Sequence, residues 1–142
     1  VRFLAPPARA ALTDANRFSV RQGEQLFERL GCASCHLLAL ETGSSDVPAL
    51  DRQTVHLYSD LLVHDMGPRL ADVCGPAASP AEVRTEMLMG LQYRDVFLHD
   101  GRAHTVRDAI LMHGGEATSA LEAFARLGPM EQIYLIRFLD TL

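Results

Sequence analysis

The chain has 142 residues, 48% hydrophobic and 22% charged, with 13 basic and 18 acidic side chains and a formal charge of −5. That composition suits one globular domain, since a fold of about 150 residues buries roughly 68–70% of the surface its unfolded chain exposes. It excludes a wholly disordered chain, the acidic balance argues against nucleic acid as a partner, and no apolar run reaches the ~18 residues of a membrane span.

Taken in order, residues 1–16 read as a connector, Pro-rich and extended around Leu4-Ala5-Pro6-Pro7, and residues 17–142 as a single domain. The chain opens at Val1 with neither an initiator Met nor a signal-peptide pattern, as expected of a processed chain or a piece of a longer one. Val20, Phe27 and Leu30, with Leu26 adjoining, share one face of a helix over 19–30, with Ser19 as its N-cap and Gly31 as its stop. Residues 37–60 read as loop, with one short strand at 54–58. Ser79-Pro80-Ala81-Glu82 has the form of a capping box and predicts a helix running to about Leu88. Thr105 caps a helix over 106–113 that stops at Gly114-Gly115; a further short helix is expected at 119–127 and another, after Gly128-Pro129, at 129–139. The sum is an all-α fold with long loops and room for one short β-hairpin.

Cys32-Ala33-Ser34-Cys35-His36 is the attachment signature of a c-type haem. Each thiol at this spacing adds to one vinyl group, and the adjacent His36 then lies beneath the iron as proximal ligand. A thioredoxin-like pair would follow a strand rather than a helix, and a zinc half-site would need a second Cys/His pair, whereas Cys74 stands alone as an incidental thiol. Haem iron accepts Met, His or Tyr opposite the proximal histidine, or leaves that position open. Spacing alone leaves Met66, Met87, Met89, Met112, Met130, His56, His64, His99, His104 and His113 as candidates. A Met on an apolar helix face is more often core, and a His closing a helix is often a surface group held by the helix dipole.

Gly23 and Phe27 resemble the Gly-x-x-x-Phe/Tyr of the first helix in class I cytochromes c, where the small residue lets a C-terminal helix cross closely; Ile133, Tyr134 and Phe138 would supply the facing stripe. Further blocks resemble the C-terminal haem domain of bacterial di-haem cytochrome c peroxidases, closest to the di-haem oxidoreductase branch described as thiol oxidoreductases or peroxidases. These are Leu4-Ala5-Pro6-Pro7, Tyr58-Ser59-Asp60-Leu61-Leu62, His64-Asp65-Met66-Gly67, Leu98-His99-Asp100-Gly101-Arg102-Ala103 and His113-Gly114-Gly115-Glu116-Ala117. The resemblance covers essentially the whole chain. It implies a cytochrome c-like fold and a sixth ligand at the end of the helix after the His-Asp-Gly block, which here is His113, with Met66 as the alternative. Bis-His ligation implies a low-spin iron of lower potential, suited to relaying electrons. Two departures stand out: Arg84-Thr85-Glu86-Met87-Leu88-Met89-Gly90 replaces the branch's Arg-Thr-Pro-Pro-Leu-Trp-Gly, and only one Cys-x-x-Cys-His is present, so the chain corresponds to the electron-transfer half of such a protein.

Among other polar groups, Arg102 is a candidate partner for a haem propionate, His99 and Asp100 for ordering the adjacent loop, and His64-Asp65 for orienting the ligands. The expected function is a c-type haem electron-transfer domain binding one haem c covalently, with a redox partner protein or a second haem domain as its partner. The competing expectation is a haem peroxidase or thiol oxidoreductase with an exchangeable sixth position and His99 or His104 as acid/base. A third is a haem-based sensor. Thioether chemistry places the protein in a bacterial periplasm.

Overall fold

The computed structural model describes residues 7–73 and 79–142. Cys74 and the first six residues of the connector lie outside the described residues. The elements are α1 (Asp14–Arg29), β1 (Leu40–Glu41), β2 (Thr54–Val55), β3 (Val63–Asp65), β4 (Glu82–Arg84), α2 (Val106–Met112), α3 (Thr118–Ala125) and α4 (Pro129–Leu139), with short 3-10 turns between them. The fold is predominantly helical, as expected, but carries two small antiparallel sheets rather than one hairpin: β1 with β2, and β3 with β4.

Helix α1 begins at Asp14, inside the stretch read as connector. Its cap is Thr13, whose hydroxyl accepts from the Asn16 N–H at 3.3 Å while the Asn16 side chain accepts from the Thr13 N–H at 2.8 Å. Ser19 is therefore not a cap. It is buried one turn into the helix and donates to the Asn16 carbonyl at 2.9 Å, the back-bond by which a hydroxyl is accommodated in a helix interior. Gly31 ends the helix at φ +85°, where a residue without Cβ adopts the left-handed region at least cost.

Helices α1 and α4 cross over Gly23, as the sequence suggests. A Cβ there would lie 2.0 Å from the Tyr134 carbonyl oxygen and 2.7 Å from Phe138 Cβ, so only glycine permits this approach. Phe27 then packs against Phe138 at 5.4 Å between ring centroids, and Tyr58 completes the cluster at 6.3 Å from Phe27 and 6.2 Å from Phe138. Ile133, expected in this stripe, is 39% exposed; the buried face is Leu135, Phe138, Leu139 and Leu142, spaced i, i+3, i+4, i+7.

The helix expected over 80–88 does not form. The Ser79 N–H does donate to the Glu82 carboxylate at 2.6 Å, half of the capping-box geometry, but the contact closes a turn that leads into β4. β-branched Val83 and Thr85 favour the extended chain. Pairing with β3 in the register His64↔Val83, continued by Thr85 N–H to the Leu62 carbonyl at 2.8 Å, satisfies the backbone there. The end of the connector is laid on the core: the Ala10 N–H donates to the Thr141 carbonyl at 2.8 Å, and the Arg9 guanidinium sits 5.2 Å over the Phe138 ring. Among the described residues, no helix is long and apolar enough to cross a membrane.

Candidate haem site

Cys32 opens a 3-10 turn, Cys32–Ser34, directly after the left-handed Gly31. The His36 N–H closes this turn on the Cys32 carbonyl at 3.0 Å, so α1 delivers both thiols and the imidazole as one rigid unit. Burial pushes the Cys32 thiol up to about 11. Cys35 is raised by burial and by the nearby carboxylates of Asp60 and Glu116. Neither is a low-pKa redox thiol in this setting.

The His36 Nδ1 lies 2.9 Å from the Tyr58 carbonyl oxygen. A carbonyl can only accept, so Nδ1 carries the proton, which leaves the Nε2 lone pair for a metal. Tyr58 holds its carbonyl there from a backbone φ of +54°, a strained value for a bulky L-residue. The strain is sustained by the ring's burial against Phe27 and Phe138 and by the Arg9 guanidinium, which donates to the Tyr58 hydroxyl at 3.3 Å.

His113 closes α2. Its Nδ1 donates to the Ala109 carbonyl at 2.8 Å, one turn back, and its Nε2 has no hydrogen-bond partner among the described residues. Burial lowers the pKa of both imidazoles, and His113 lies close enough to His36 for its charge to lower His36 further. Both rings are thus held neutral with Nδ1 protonated, the state that ligates iron. Cys32, Ala33, Leu88 and Phe97, with Val106, Ile110 and Leu111 of α2, pack against the core while staying partly exposed, and α2 has no fully buried residue. These residues fit a haem: two thiols at attachment spacing, two neutral imidazoles, and half-buried side chains for a flat macrocycle to cover.

The loop after His113 is built on close backbone approach. A Cβ on Gly114 would lie 2.9 Å from the Met66 carbonyl oxygen. One on Gly115, at φ +53°, would lie 2.0 Å from that of Asp65. Gly114-Gly115 is therefore more than a helix stop. It is the contact by which the His113 loop rests on the Asp65-Met66-Gly67 segment, and Met66 is anchored there by its own N–H on the Ala81 carbonyl at 2.8 Å.

Other expected residues have different partners. Arg102 is engaged with Asp100 through its guanidinium and donates to the Arg69 carbonyl at 2.7 Å. His99 pairs with Asp72 at 3.3 Å, and His104 lines a shallow cavity of about 380 Å³ with Arg94, Arg107 and Asp140. His64 does not pair with Asp65, whose carboxylate accepts from the Gly67 N–H at 2.7 Å. Instead His64 is clamped between Asp60, 2.8 Å from Nε2, and Glu116, 3.0 Å from Nδ1. Tyr58, Asp60 and Glu116 are the site residues that sequence reasoning missed. Asp60 and Glu116 stand in recognisable blocks, yet nothing in their spacing announces a shared histidine.

Cys-x-x-Cys-His on a helix-led turn, beside a second half-buried neutral imidazole, defines a covalent c-type haem domain that carries one haem. The whole chain, residues 1–142, matches the family described as "Di-haem oxidoreductase, putative peroxidase", and it belongs to that family. No curated protein and no solved structure shows a significant match to it.

Proposed function

We propose that this chain is an electron-transfer domain in which His36 and His113 are the axial ligands of a six-coordinate iron and Cys32 and Cys35 form the thioethers. The observation that carries the reading is the pair of half-buried imidazoles, each with Nδ1 held by a backbone carbonyl, with His113 near enough to His36 to lower its pKa. Haem, when bound, supplies a one-electron ferric/ferrous couple. The chain's residues orient and protect it: the Tyr58 carbonyl fixes the His36 ring, the Ala109 carbonyl fixes His113, and the apolar side chains of α2 exclude water. With both axial positions filled, the chain passes electrons and does not itself cleave peroxide. Its partner is a redox protein or a second haem domain of the kind the family's name implies. The compartment is the bacterial periplasm, where c-type attachment is completed.

The test is the ferric spin state of the holoprotein beside His113→Ala and Met66→Ala. The reading expects a low-spin wild type, a low-spin Met66→Ala and a high-spin His113→Ala. A low-spin His113→Ala with a high-spin Met66→Ala would transfer the role to Met66. A high-spin wild type would favour an exchangeable sixth position and peroxidase chemistry.

A further inference from the structure

A continuous polar link joins the thiol motif to the loop that carries His113. The Asp60 N–H donates to the Cys35 carbonyl at 2.8 Å, which fixes the Asp60 backbone against the attachment turn. The Asp60 carboxylate, 8% exposed, takes His64 Nε2–H at 2.8 Å, and His64 Nδ1–H is taken by Glu116 Oε2 at 3.0 Å. Glu116 Oε1 also accepts the Asp65 N–H at 3.0 Å, so its carboxylate grips both a side chain and the backbone of β3. Both ring nitrogens of His64 face acceptor-only carboxylates, so the ring donates twice and stands as an imidazolium between two anions.

Glu116 belongs to a loop with little else to hold it. Gly114 and Gly115 have no side chains, and Glu116 itself is exposed. The loop's fixed points are the close backbone approach to Asp65–Gly67, the Thr118 hydroxyl on the Gly115 carbonyl at 2.7 Å, and the Glu116 carboxylate. Three residues upstream of Glu116 is His113, whose ring must stay on a fixed line to bind iron.

We propose that His64 and Glu116 are positioning residues for the distal ligand: together they staple the His113 loop to β3 and so resist displacement of that imidazole by an external ligand. The inference rests on His113 being the sixth ligand. It assigns no chemistry to His64, which has no ring nitrogen left for a metal in this arrangement.

The experiment measures the rate at which added imidazole binds the ferric holoprotein, a process limited by departure of the native ligand, in wild type, Glu116→Ala, His64→Gln and the double variant. The staple predicts a rate at least tenfold higher in each single variant. It also predicts a double variant within about twofold of the faster single, because two groups acting through one contact are non-additive. Glu116→Gln keeps an acceptor for the Asp65 N–H but loses the anion beside His64, so its rate should fall between wild type and Glu116→Ala; this variant carries the test if Glu116→Ala does not load haem. Single variants with the wild-type rate, or a double variant whose increase is the product of the two, would overturn the staple. A His113→Ala protein that stays low-spin would overturn the ligand reading and the staple with it. A high-spin His113→Ala beside wild-type rates in Glu116→Ala and His64→Gln would overturn the staple alone.

Discussion

Gly115→Ala tests how the distal loop is built, and its size can be worked from the structure. The residue sits at φ +53°, where an L side chain costs roughly 1–2 kcal/mol. The new methyl would start 2.0 Å from the Asp65 carbonyl oxygen and 2.7 Å from the Gly67 nitrogen, both backbone atoms that cannot rotate aside. Reaching an ordinary C···O separation needs a retreat of roughly 1.3 Å, and overpacking of this kind costs about 1–3 kcal/mol. The sum is about 2–5 kcal/mol, which at roughly 3 °C per kcal/mol for a chain of this size lowers Tm by about 6–15 °C. The assay is thermal unfolding of the ferric holoprotein, followed in parallel by far-ultraviolet circular dichroism and by the Soret band. Because the retreat moves the loop that carries His113, a partial high-spin signal should appear below the transition. Gly43→Ala is the control: nothing lies within 4 Å of a Cβ there, and its φ is not in the left-handed region, so its Tm should stay within about 0.5 kcal/mol equivalent of wild type. A Gly115→Ala protein with wild-type Tm and spectrum would refute the close-approach account.

Other consequences are read with simple measurements. Gly23→Ala gains about 1 kcal/mol of helix propensity but drives a methyl into the Tyr134 carbonyl at a cost toward the upper end of about 1–3 kcal/mol, so denaturant unfolding should show a net loss of up to about 2 kcal/mol. Arg9→Leu removes the donor to Tyr58 and the cation over Phe138, and should destabilise by about 1–2 kcal/mol while the ferric spectrum stays low-spin. The pH dependence of stability has two limbs around the clamp. Hydrogen bonds to Glu116 and Asp60 raise His64 above its ordinary value, so its contribution is complete below pH ~6.5 and is lost as pH rises through the folded value. Glu116 is lowered by His64 and the Asp65 N–H. Asp60 is lowered because the Leu62 N–H, His64 and Thr85 outweigh its desolvation. Their contribution is present above about pH 4 and is lost as pH falls through the depressed values. Wild type minus His64→Gln should therefore narrow at alkaline pH; a difference that widens there would contradict the sign.

Much of this was legible because local chemistry and tertiary need agree. The Gly23–Phe27 pair, the Thr105 cap and the Gly128-Pro129 start each have one physical use, and the structure puts each to it, while the Cys-x-x-Cys-His run folds into one compact turn. The Ser79–Glu82 box failed for the opposite reason: a turn signal shared by helices and loops was overruled by pairing of Val83 and Thr85 with β3. Ser19 misled because hydroxyls also back-bond inside helices, while the true cap used Asn16 in place of the usual acid or glutamine. The left-handed Tyr58 left no trace in the sequence, since nothing about a tyrosine announces φ +54°. The Asp60–His64–Glu116 clamp unites residues 52 positions apart and depends on β3 meeting the loop after α2, a contact visible only once the chain is folded.

The most direct measurement is near-infrared magnetic circular dichroism of the ferric holoprotein at neutral pH, which distinguishes the axial pair by the position of its charge-transfer band. The account predicts a single low-spin species with a bis-imidazole band, replaced by a high-spin signature in His113→Ala. A thioether-type band or a high-spin wild type would contradict it.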